Sequence, residues 1–191
     1  MDLEEVWRIR EEKIYPTLFG GEQRGIFTLS SELIALFEFA PTPQRPFWLY
    51  VTSGHSNPWH EESDGYDPAS QSGAGIEFIF ASAERGDWAT QCLQNLLAFD
   101  LLLDVGHFPG GQPLTEGDRI PIRSPINGKE NCLIRNVILS RPASLPTGFQ
   151  LPSGQVDLLT LQGSPIVNWP SQRRMAPRLS STGCNPLGSF R

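Results

Sequence analysis

The stretch GIEFIFASAERGDWATQCLQNLLAFDLLLDVG, Gly75 to Gly106, decides the fold class. Up to Ala81 it alternates: Ile76, Phe78 and Phe80 fall on one face, Glu77 and Ile79 on the other, which is the period of a strand. From Trp88 the period changes. Trp88, Cys92, Leu96, Phe99 and Leu103 follow helical spacing, and the half from Leu96 to Leu103 is apolar nearly all round. A central helix over Trp88 to Val105 is expected, with Asp87 as its N-cap and Gly106 closing it.

Upstream, Asp2 and Glu5 have the spacing of a capping box, and Leu3, Val6, Trp7, Arg10 and Ile14 form a partly apolar stripe. Pro16 is expected to stop that helix, and Gly20-Gly21 to make the turn. Strand-like pieces follow at Gly25 to Leu29, Leu36 to Ala40 and Phe47 to Thr52. In the last, Phe47, Leu49 and Val51 face one way while Trp48, Tyr50 and Thr52 face the other, so both faces are expected to be covered. Ser56 to Gly73 reads as a polar loop. Downstream, Cys132 to Leu139 and Val156 to Gln162 look like two further strands, separated by Pro142, Pro146, Gly148, Pro152 and Gly154. Strands and helices are mixed without regular alternation, so the class is α+β rather than a doubly wound sheet.

Composition narrows the function. A chain of 191 residues with five Trp and eleven Phe is one ordinary globular domain. All 21 acids precede Pro170; the body to Trp169 has 11 basic residues and a net charge of −10, and residues 170–191 carry four arginines and no acid. An acidic body argues against nucleic acid and favours a basic partner. The expected domain is therefore 1–169, with 170–191 a basic Ser/Pro/Arg-rich tail. No apolar run is long enough to span a membrane. Three cysteines at wide spacing fit reduced thiols in the cytoplasm better than disulfides or zinc.

Three groups invite chemistry. Adjacent His55 and Ser56 suggest a Ser/His hydrolase, although Pro58 stands where a nucleophile elbow wants glycine. His60, Glu61, Glu62, Asp64 and Asp67 form an acidic loop that a hard cation could use, without EF-hand spacing. Asp100, Asp104 and His107 would share a helix face if the helix ran that far, and could hold a metal for assisted hydrolysis. Each has a plainer reading as a turn, a solvated loop or a set of ion-paired acids. Glu77 is the most informative acid. Inside an apolar strand it needs either a salt bridge, an exposed face, or a face or edge that receives a partner. Nothing in these patterns establishes an enzyme, a metal or a cofactor.

Several blocks taken in order resemble the Suppressor of fused (SUFU) domain family, in its short single-domain bacterial form. They are FEFAPTPQRPFWLYVTSGHSNPW (Phe37 to Trp59), SGAGIEFIF (Ser72 to Phe80), the helix from Trp88 with Leu93-Gln94-Asn95-Leu96, Gly117-Asp118 with Ser124-Pro125-Ile126, and Gly154-Gln155-Val156 leading to Leu161-Gln162-Gly163. Tyr15-Pro16 with Phe19-Gly20 is similar to short bacterial members. The resemblance implies an α+β domain with a mixed, largely antiparallel central sheet, flanking helices, and protein binding rather than catalysis. Animal members clamp an extended peptide of a transcription factor as an added strand. Bacterial members are interpreted as immunity proteins that neutralise a toxin, and an acidic body suits a basic toxin. By motif position Trp59 matches a groove aromatic of the animal proteins, whose groove acid falls near Ala69 here. Asp64, Tyr66 and Asp67 share the loop that follows Trp59. The expected partner-binding residues are thus Trp59, Glu77, Asp64, Tyr66 and Asp67.

Overall fold

The computed structural model describes residues 2–28, 34–59, 66–122 and 124–165. Asp2 caps the first helix as expected, its Oδ1 accepting the Glu5 amide at 2.8 Å. Pro16 does not stop it. Helix α1 (Leu3–Arg8) widens into a π-helical turn (Ile9–Ile14) and continues as α2 (Tyr15–Phe19). In that turn the Tyr15 amide bonds the Arg10 carbonyl five residues back, and the wider turn relieves the clash a proline ring causes in a regular helix. Gly20, with φ of +58°, ends the segment.

The strands are β1 (Gln23–Thr28), β2 (Ala35–Phe39), β3 (Trp48–Ser53), β4 (Gln71–Ser82), β5 (Arg119–Pro121), β6 (Asn136–Ser140), β7 (Gly148–Leu151) and β8 (Gly154–Ser164), with helix α3 (Asp87–Asp104) between β4 and β5. They form one mixed sheet in the order β1-β2-β3-β4-β8-β6-β5, with β7 paired to β8. β4 and β8 run parallel; every other described pair is antiparallel. The class is α+β.

Both faces of the sheet are covered. On one, α3 lays Leu93, Leu96, Phe99 and Leu103 over Tyr50, Phe78, Phe80, Leu139, Leu159 and Leu161. On the other, Tyr15 and Phe19 pack on Phe37, Phe39, Leu49, Val51, Ile79 and Leu158. The face assignments of Phe47 and of the apolar residues of β3 and β4 hold, with Trp48, Tyr50, Ile76, Phe78 and Phe80 in one core and Phe47, Leu49, Val51 and Ile79 in the other, because strands covered on both sides alternate their apolar side chains between two cores.

Four local expectations change. Gly86, not Asp87, occupies the cap of α3, and Asp87 is its first residue. The strand expected from Cys132 begins at Asn136. β5 and β7, of three and four residues, lie where the sequence pattern predicts no strand. Gln71 to Gly73, expected as loop, opens β4. The tail 170–191 lies outside the described residues. Among the described residues, no helix is long and apolar enough to cross a membrane.

Candidate functional site

β3 ends at Ser53, and the chain bends through Gly54 to Pro58 before reaching Trp59. This bend was expected to be an ordinary polar loop. Instead Ser53, His55, Ser56 and Asn57 are all buried. The bend must therefore find its hydrogen bonds inside the protein, and a set of charged side chains supplies them.

Glu77 of β4 is the centre. Its Oε1 accepts from the Gly54 amide at 2.9 Å, the Ser56 amide at 3.0 Å and the Ser56 hydroxyl at 2.7 Å. Its Oε2 accepts from the Thr52 hydroxyl at 2.5 Å. Arg10 completes the charge balance from the π turn, its Nη1 lying 3.8 Å from Glu77. The same guanidinium donates to Ser53 Oγ at 2.9 Å, Ser56 Oγ at 3.1 Å and Asn57 Oδ1 at 2.7 Å. Ser53 in turn donates to Glu11. A buried carboxylate is tolerated here because four donors and a cation replace the water it has lost.

A second anchor comes from α3. His55 Nε2 meets Asp100 Oδ2 at 2.7 Å, and Asp100 Oδ1 accepts the Leu114 amide at 2.6 Å. The imidazole stacks on Phe78 with centroids 5.6 Å apart. A third comes from the start of β4, where Ser72 donates to the Ser56 carbonyl at 2.7 Å and shares a 2.6 Å bond with Ser153. Gly73 permits this approach. It has φ of +56°, and a Cβ there would stand 2.2 Å from the Asn57 carbonyl oxygen.

Burial reshapes the acidities around the bend. Burial, first, pushes Glu11 up to about 7, the nearby Glu77 adding to the effect, with Ser53 and Arg10 acting against it. Burial also raises the Tyr15 phenol, whose hydroxyl donates to the Thr52 carbonyl at 2.6 Å.

The polar network supports an aromatic side chain that faces solvent. Trp59 is 39% exposed, and its amide bonds the Asn57 carbonyl at 2.9 Å. Tyr66 is half-buried against the Val6, Leu151 and Val156 cluster. Asp67 is exposed; its Oδ1 takes the Ala69 amide at 2.9 Å and its carbonyl takes the Ser70 amide at 3.0 Å. Gln150 of β7 holds this turn through the Pro68 carbonyl at 2.8 Å. Asp64, with His60, Glu61 and Glu62, lies outside the described residues.

The hydrolytic arrangements are not assembled. His55 and Ser56 turn to different carboxylates, Asp100 and Glu77. Asp100 is buried, whereas Asp104 and His107 are exposed beyond it, because Gly106 ends the helix before His107 can join the face. Among the described residues, no group of three or more His, Cys, Asp and Glu could hold a metal ion. The residues sequence reading passed over are Arg10, Glu11, Ser53 and Asn57. A charged residue at an apolar stripe position, Arg10, was the one signal of the buried network.

A profile of the Suppressor of fused protein (SUFU) family matches residues 30–167. This chain belongs to the SUFU family. The Phe37 to Trp59 block is therefore β2, its connector, β3 and the buried bend, and the Ser72 to Phe80 block is the strand that carries Glu77. Two solved SUFU structures share the fold. Drosophila Suppressor of Fused matches at 20% identity and TM-score 0.54 over 83% of this chain, which spans 40% of that protein's length. A SUFU homologue from Neisseria gonorrhoeae FA 1090 matches at 16% identity and TM-score 0.50 over 84% of this chain and 74% of its own. No curated protein matches the sequence.

Proposed function

We propose that this SUFU chain is a non-enzymatic, cofactor-free protein-binding domain of the bacterial immunity type, neutralising a cognate basic toxin in the cytoplasm. The observation that carries the reading is Trp59, a large exposed aromatic whose supporting bend is fixed from beneath by Glu77, Arg10 and Asp100. Exposed aromatics on rigid supports make strong binding anchors, since little motion is lost when a partner covers them. Asp64, Tyr66 and Asp67 belong to the loop that follows the anchor in the sequence. Glu77 acts by holding the bend, since it has no surface to offer. The acidic body, −10 to Trp169, favours a basic partner through charge complementarity. The free thiols of Cys92 and Cys132 suit a reducing compartment.

The test is protection of growing cells. A toxin encoded beside this gene is expressed with the wild-type chain, with Trp59→Ala, or alone. Protection by the wild type that is lost with Trp59→Ala supports the reading. Equal killing with and without the chain would reject a role in immunity.

A further inference from the structure

Two carboxylates and one guanidinium lie sealed between the N-terminal helix and the bend after β3: Glu11, Glu77 and Arg10. Both neighbouring residues of the π turn, Arg10 and Glu11, are buried. Their hydrogen bonds are unequal. Glu77 receives four donors, whereas Glu11 receives the Ser53 hydroxyl, has the Trp7 indole near it without a formed hydrogen bond, and sits 3.9 Å from Arg10 Nη2, beyond hydrogen-bond range. Arg10 Nη2 itself is buried without a partner. With both carboxylates ionised, the group carries one uncompensated negative charge in a water-excluded site. The carboxylate with fewer donors is the one that takes up a proton.

We propose that Glu11 is a proton-operated latch: protonated, it seals the N-terminal helix segment onto the Ser53–Asn57 bend, and its ionisation loosens that segment. The charged and titratable groups facing Glu11 are Arg10 of its own turn, Tyr15 of α2 and Glu77 of β4. β3 presents Ser53 and β1 presents Gln23, whose Nε2 donates to the Glu11 carbonyl at 3.2 Å and whose buried Oε1 has no partner. β7, which also packs on the turn, holds no titratable side chain between Gly148 and Leu151.

The direction follows from linkage. Glu11 titrates at about 7 when the segment is docked and at its ordinary 4.5 when the segment opens. Between those values the docked form holds one more proton. Opening then becomes more favourable with pH, by at most about tenfold per unit between those values, and levels off above about pH 7. The latch is tightest in mild acid.

Hydrogen exchange of the amides in residues 3–19, corrected for intrinsic rates, measures the opening constant between about pH 5 and 8 on the whole chain. Wild type and Glu12→Gln, an exposed neighbour, are expected to open roughly fortyfold more at pH 7 than at pH 5. Glu11→Gln is expected to show no such rise. A flat wild-type profile, or the same slope in Glu11→Gln, would overturn the latch. Carbon-13 titration of the Glu11 carboxyl in the wild-type chain provides a second reading that needs no variant. A midpoint near 7 supports the latch, and one in the ordinary carboxylate range rejects it.

Discussion

Glu77, beneath the bend, and Trp59, at its exposed end, should fail in opposite ways. Removing the Glu77 side chain leaves Arg10 buried without its main counter-charge and strands the Gly54 and Ser56 amides. Glu77→Ala is expected to lose about 3–5 kcal/mol of stability, read by denaturant unfolding. Trp59→Ala removes a side chain that is 39% exposed and should change stability by about 0.5 kcal/mol, so any binding defect in it belongs to the contact. Cys92 gives a simple check on packing. Its thiol is pushed up to about 12 by burial, so Cys92 in the folded protein should resist thiol-modifying reagents at pH 8, read site by site by peptide mapping, where Cys92 of the unfolded chain reacts. At this scale, what was legible was that Glu77 needed a partner. An acid amid Ile76, Phe78, Ile79 and Phe80 had to have a buried partner or a special face. Which partner it had was not legible, because Arg10 lies in a helix far along the chain and reaches it only through the π turn.

At the scale of elements, the segment from Leu3 to Phe19 acts as one face of the core. Tyr15 makes edge-on ring contacts with Phe19, Phe37, Phe39 and Phe149 at centroid distances of 5.4–6.4 Å. Deleting residues 1–19 would uncover this aromatic face. With each large aromatic worth about 3–5 kcal/mol in a core, the truncated chain is expected to lose its cooperative thermal transition by circular dichroism. Gly73→Ala tests the joint between β4 and the bend. Left-handed backbone and a 2.2 Å approach to the Asn57 carbonyl together should cost about 3 kcal/mol or more. Such elements differ in how well the sequence announces them. β3, β4 and α3 were readable because their apolar side chains repeat over many residues and are buried on all sides. β5 and β7 have only three and four residues, and their pairing is imposed by β6 and β8 rather than by any pattern of their own. Pro16 misled because the usual proline rule assumes a regular α-helix.

At the scale of the whole molecule, a net charge of −10 to Trp169 accompanies an exposed aromatic, Trp59, on a rigid support. If the partner is basic, the association rate should fall steeply between about 50 and 500 mM salt, while dissociation changes little. Stopped-flow mixing at several salt concentrations measures both. A salt-independent association rate would remove the basic partner but leave the Trp59 face standing. The most direct test of that face is calorimetric titration of the proposed toxin partner into wild-type and Trp59→Ala chains of equal thermal stability. The expected result is about thirtyfold weaker binding by the variant, roughly 2 kcal/mol; equal affinity would contradict a partner face centred on Trp59.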